Sequence, residues 1–85
     1  MALETKQVAV TTTSQVVVST DNVRRDVLLH AKHKCFIGNE GVTTSNGFLL
    51  DNGDEFRMTL FEGEVLWVVT DEGTGTLYAA ISAQT

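Results

Sequence analysis

The sequence predicts an all-β domain, a small antiparallel β-sandwich or barrel of about 6–8 short strands. Three observations carry that expectation. Proline is absent, and Val and Thr dominate the apolar runs; β-branched side chains, stiff at χ1, suit a pleated surface better than a helix. Apolar and polar residues alternate with the period of a strand along several runs. Asn46-Gly47, Asn52-Gly53, Glu62-Gly63 and Glu72-Gly73 punctuate those runs, at the spacing of turns in a sandwich or barrel.

Taken in order, QVAVTT is the first strand and places Val8 and Val10 on one face. QVVVST follows, with Val16 and Val18 on one face and Val17 on the other. The stretch from Asp21 to His33 reads two ways. Asp21 or Asn22 can cap a short helix, yet Val23, Val27, Leu28, Leu29 and Ala31 also fit an entering loop followed by a strand. As strand, DVLLHAKHKCFIG is one long bent or bulged ribbon with Leu29, Ala31, His33, Cys35 and Ile37 on one side. EFRMTLF sets Phe56, Met58 and Leu60 against Arg57 and Thr59. EVLWVVT is apolar on both faces, as a central strand is, or one beneath an oligomer contact. GTLYAAIS sets Leu77, Ala79 and Ile81 against Tyr78. The expected core is Val27, Leu29, Ile37, Leu50, Phe56, Met58, Leu60, Trp67, Val69, Leu77, Ala79 and Ile81.

Eighty-five residues make one domain. Residues 1–12 read as an N-terminal strand or arm available to a neighbouring subunit, and residues 13–85 as a single β domain. A chain this short buries only about 60% of the surface its unfolded form exposes. Cys35 is the single cysteine, so no disulfide within the chain reinforces it, and the lone thiol suits a reducing cytoplasm. Association with other copies or with a larger surface is the remaining source of stability. The net charge of −5, with scattered Lys and Arg, argues against nucleic acid. No apolar run approaches a membrane span, and MALETKQ lacks the regions of a signal peptide.

The segment IGNEGVTTSNGFLLDNGDEF is rich in glycine and poses a choice between a phosphate cradle and a series of reversals. Phosphate loops run from a strand into a helix and the P-loop adds a Lys-Ser/Thr pair. Residues 38–53 hold no basic residue and lead into another strand, so turns are the expected reading. His30, His33 and Cys35 lie close in sequence, but strand alternation turns His30 away from the other two, and a structural zinc wants four ligands. Asp51, Asn52, Asp54 and Glu55 surround Gly53 without the full calcium-loop pattern. Ser14 and Ser45 have no motif that supplies a catalytic histidine. No catalytic residue, cofactor or metal is therefore expected. Trp67, with Phe36, Phe48 and Tyr78, fits either a core or a sugar-stacking surface.

The order of these pieces resembles small phage virion proteins and domains of the pattern R-x-x-V-x-[IL]-x-N-x-G-x-x-x-[VI]-[YF]-[IL]-G…V-T-x-x-x-G-x-x-L-x-x-G-E…LW-[AV]. The matching residues are Arg25, Val27, Leu29, Phe36, Ile37, Gly38, Val42, Thr43, Gly47, Leu50, Gly53, Asp54, Leu66 and Trp67. The likeness spans about residues 15 to 82 and departs where HAKHKC replaces an N-x-G turn. It implies a non-enzymatic bacteriophage structural protein, a capsid decoration (cement) protein binding the outer surface of the assembled head. It implies the major capsid protein and further copies of the chain as partners, in a trimer or alternatively a dimer, on a virion assembled in a bacterial cytoplasm. The alternative is a tail or fibre module recognising a host glycan through Trp67, Tyr78 and the acidic turns. For assembly contacts the expected residues are Gln7, Val8, Val10 and Thr12 on an open strand edge, Arg24, Arg25, His33 and Cys35, and the loop residues Val42, Thr43 and Thr44.

Overall fold

A computed structural model describes residues 2–20 and 22–84. Asp21, one of the two expected helix caps, lies outside the described residues, as do Met1 and Thr85. Eight strands form: β1 (Ala2–Val10), β2 (Gln15–Val18), β3 (Arg24–Ala31), β4 (Cys35–Gly38), β5 (Phe48–Leu50), β6 (Glu55–Leu60), β7 (Leu66–Val69) and β8 (Gly75–Gln84). No helix occurs among the described residues, and the stretch that could have been one is strand β3.

The pairing is nested and antiparallel throughout. β1 pairs with β8, β2 with β7, β3 with β6 and β4 with β5. Two further ladders, β3 with β8 and β4 with β7, join these pairs side by side. The result is a first sheet in the order β1-β8-β3-β6 and a second in the order β2-β7-β4-β5. A long hairpin rolled across itself in this way is a jelly roll, an eight-stranded form of the β-sandwich. The expected all-β sandwich is the fold.

The core lies between the sheets. Val8, Val10, Val27, Leu29, Ala31, Leu77, Ala79 and Ile81 enter it from the first sheet, and Val17, Val18, Cys35, Ile37, Leu50, Leu66 and Val68 from the second. Phe56 and Met58 pack against its margin, where Phe48 meets Phe56 at a ring separation of 4.8 Å.

Four local expectations are corrected. The ribbon from Asp26 to Gly38 is two strands, because residues 32–34 turn the chain from the first sheet to the second. Its inward parity survives the turn, so Leu29 and Ala31 meet the core from one side and Cys35 and Ile37 from the other. In β2 a bulge between Val16 and Val18 puts Val17 and Val18 both inside and leaves Val16 exposed; an extra residue on one strand shifts the alternation. Trp67 is not central, since Leu66 and Val68 take the core-facing positions and Trp67 points from the outer face, half-buried. Finally, residues 1–12 are not a detachable arm: β1 pairs with β8 along its whole length and contributes Val8 and Val10 to the core.

Candidate assembly surface

Strand parity builds the outer face of the second sheet almost entirely from apolar side chains. Val16 and Trp67 stand opposite each other on β2 and β7, and Trp67 faces Gly38 on β4. One step along the sheet, Val69 stands opposite Phe36, which faces Leu49 on the edge strand β5. Val16 and Leu49 are exposed, and Phe36 and Trp67 half-buried. An outward apolar set on a sheet normally requires a cover.

Part of that cover comes from the chain itself. The loop between β4 and β5 folds back so that Val42 lies over Gly38, whose absent Cβ leaves the space. The loop holds its shape by short hydrogen bonds. The Thr43 N–H donates to Asn46 Oδ1 at 2.7 Å, and the Gly47 N–H to the Thr43 carbonyl at 2.9 Å. A Cβ on Gly47 would come within 2.6 Å of Phe36 Cβ, so close approach, not a left-handed backbone, demands this glycine. Val42 and Val69 are buried as a consequence. The second apolar face of EVLWVVT is thus partly covered within one chain.

At the end of this face the β1–β2 loop arrives. Thr12, Ser14, Val42, Thr43, Thr44, Val69, Thr70 and Asp71 line one shallow depression there. Thr70, buried, fastens its floor: its N–H donates to the Thr11 carbonyl at 2.9 Å and its hydroxyl to the Lys34 carbonyl at 2.8 Å. Lys34 spans the rim, 3.2 Å from Asp71 Oδ2 and 5.8 Å above the Phe36 ring. The surface therefore combines Val16, Phe36, Leu49 and Trp67 with a threonine-rich border.

Of the expected contact residues, Thr12, Val42, Thr43 and Thr44 are brought together here. The others are dispersed. Gln7 is exposed on the outer face of the first sheet, while the Val8 and Val10 side chains point into the core. Arg24 is exposed at the start of β3. Arg25 is corrected outright: it is 2% exposed and cannot offer its side chain to a partner. Its guanidinium donates to the carbonyls of Ser19, Val23, Phe61 and Glu64, tying the β2–β3 and β6–β7 connections together. Its position two residues before inward Val27 was the sequence signal for that burial. His33 sits in the turn between sheets, its Nε2 2.9 Å from the Glu72 carbonyl. Cys35 is fully buried, and burial raises its thiol pKa to about 11. Val16 and Leu49 were missed; the alternation put Val16 on the same face as Val18, from which the bulge separates it, and only the pairing of β5 with β4 shows which way Leu49 points.

The acidic turns serve the backbone. In Asp51-Asn52-Gly53-Asp54, Asp54 Oδ2 accepts the Asp51 N–H at 2.9 Å while the Asp54 N–H returns to the Asp51 carbonyl at 3.0 Å. Phe61-Glu62-Gly63-Glu64 repeats the arrangement at 2.7 and 3.1 Å. Gly53 and Gly63 occupy positive φ in each, the conformation such turns require of their third residue. Tyr78, meanwhile, points from the outer face of the first sheet, so it and Trp67 stand on opposite sides of the sandwich and share no ligand.

No protein-family model and no curated protein matches this chain. Among solved structures it is similar to a protein from work describing how "Bacillus endospore appendages form a novel family of disulfide-linked pili". The identity is 12%, over 93% of this chain and 85% of that one, with a TM-score of 0.52. At that identity the likeness is one of fold.

Proposed function

We propose that this chain is a non-enzymatic structural protein of a bacteriophage virion, a decoration protein that docks on the outer surface of the assembled head. The observation that carries the reading is the outer face of the second sheet, where Val16, Phe36, Leu49 and Trp67 form an apolar patch bordered by threonines. Such a patch, rimmed by polar groups, suits a protein partner. The likeness to small phage virion domains from Arg25 to Trp67 supplies the identity of that partner, the major capsid protein. The jelly roll agrees with it, being a recurrent design of capsid and lectin domains, although a fold hosts many functions. The solved neighbour, a pilus protein, likewise builds an assembly. Its pili are disulfide-linked; here Cys35 is sealed in the core, so copies of this chain associate without a disulfide, as a trimer on a threefold site or as a dimer. Many copies on one lattice convert weak single contacts into tight decoration.

The test uses empty shells of the phage that encodes the chain. Val16→Glu combined with Leu49→Glu changes two exposed side chains and leaves the core intact. This variant is expected to keep the parent's β spectrum and melting point while losing at least tenfold in shell occupancy. A variant that decorates shells at the parent's level would remove the second sheet from the contact.

A further inference from the structure

The opposite face of the molecule carries a groove that the docking surface does not use. On the first sheet the outward residues form cross-strand rows. Thr5, Ala80, Leu28 and Arg57 make one, and Gln7, Tyr78, His30 and Glu55 the next. Ala80, on the second strand in, is small between larger neighbours, so the surface dips over it. The depression has a volume of about 590 Å³ and is lined by Thr5, Lys6, Gln7, Leu28, His30, Tyr78, Ala79 and Ala80, within the usual range of small-ligand sites.

Its chemistry is sorted in space. The floor is alanine and the side of Leu28, while Tyr78 and His30 stand at one end with their rings edge to face, 6.3 Å apart and inclined at 72°. Hydrogen-bonding groups lie on the margin: the Thr5 hydroxyl, the Gln7 amide, the Tyr78 hydroxyl and the His30 imidazole. The Nδ1 atom of His30 is buried, has no hydrogen-bond partner and lies 3.6 Å from Glu55 Oε2, too long for a bond. A buried polar atom left unpaired is costly, but Nδ1 is closed to a ligand in the groove, which would meet the accessible edge of the His30 ring and Tyr78. Among the described residues lining the groove Lys6 is the one cation, and at the β6 side Arg57 and Glu55 stand two residues apart and offset each other; in a chain of net charge −5 no cluster of positive charge favours an anionic ligand.

A flat apolar floor with an aromatic wall and a rim of neutral hydrogen-bonding groups matches a ring that has a C–H face and hydroxyls on its edge. We propose that this groove binds a neutral hexopyranose, the exposed residue of an uncharged glycan. The site is distinct from a Trp67–Tyr78 pair, and it faces away from a shell gripped by the second sheet.

The measurement is a titration of the isotope-labelled 85-residue protein, followed by amide and side-chain shifts, with glucose, galactose, mannose and N-acetylglucosamine. At least one sugar should move Thr5, Gln7, Leu28, His30, Tyr78 and Ala80 together, at millimolar affinity or better. Ala80→Leu, which fills the depression from the outer face, should weaken that binding at least tenfold without altering the rest of the spectrum; Tyr78→Ala should do the same. The proposal is overturned if no sugar shifts these residues at up to about 50 mM, a concentration that would detect contacts worth only about 2 kcal/mol. Shifts centred on Trp67, unchanged affinity in Ala80→Leu, or binding of N-acetylneuraminic acid in place of the neutral sugars would also overturn it. Shell binding is measured separately, so either result stands without the other.

Discussion

Cys35 shows how a side chain's role is set by its surroundings. It lies on β4 between the sheets, fully buried, and loss of hydration raises its pKa from 9.0 to about 11. Below pH 9 the thiol is neutral whether the chain is folded or not, so it contributes no pH dependence. Between pH 9 and 11 the unfolded thiol ionises while the folded one keeps its proton, and stability falls with rising pH across that window. The expected loss is on the order of 2 kcal/mol. Comparing denaturant melts of the parent and of Cys35→Ala at several pH values isolates it: the parent's curve should descend more steeply from pH 9 to 11. Parallel curves would show the thiol to be hydrated. Arg25 makes the complementary point, a buried cation whose partners are four backbone carbonyls from two connections, and whose loss would take a hydrogen bond from each of them.

At the scale of an element, the connection between β7 and β8 depends on two glycines for different reasons. Gly73 has φ +73, and a Cβ there would meet His33 only at ordinary contact distance. Gly75 lacks a positive φ, but a Cβ would overlap the Cβ of His33, on the turn that carries the chain between sheets. The first substitution costs backbone strain of about 1 kcal/mol. The second must push a turn off β8, at roughly 1–3 kcal/mol. Thermal melts should therefore rank Gly75→Ala below Gly73→Ala, and both below the parent. An undisturbed Gly75→Ala variant would mean that His33 swings away freely. The same crowding packs His33 closely against Gly73 and Gly75 of this chain.

For the whole molecule, nested pairing makes the first strand indispensable. β1 covers the outer edge of β8 along nine residues and supplies Val8 and Val10 to the core. Deleting residues 1–12 exposes that edge and opens the core, and an 85-residue domain has little stability in reserve. The truncated chain is expected to lose its cooperative melt and to aggregate, not merely to lose a subunit contact. If it keeps a sharp transition near the parent's, β1 is a separable arm after all. The free edge of β1 remains available for pairing, but its side chains divide between core and solvent, as those of any half-buried strand do.

Alternation, turn glycines and the absence of proline were enough to determine an all-β fold, a sandwich or barrel of short strands, and half of its core cluster, because these are local consequences of backbone geometry and side-chain shape. Val27, Leu29, Ile37, Leu50, Leu60, Leu77, Ala79 and Ile81 are buried as their parity requires. Local pattern also held the clue to Arg25, which shares the parity of Val27. What it lacked was the partner across each strand. The bulge in β2, the turn that divides β3 from β4, the outward set of Trp67 and the fold-back of Val42 over Gly38 all depend on which strand lies alongside. So do both candidate surfaces: Val16 and Trp67 come together on one sheet, and Gln7, Tyr78, His30 and Glu55 on the other, only through pairings between residues far apart in the chain. Strand parity assigns a residue to a face, but the rolled hairpin alone decides which faces meet each other and which are left to meet something else.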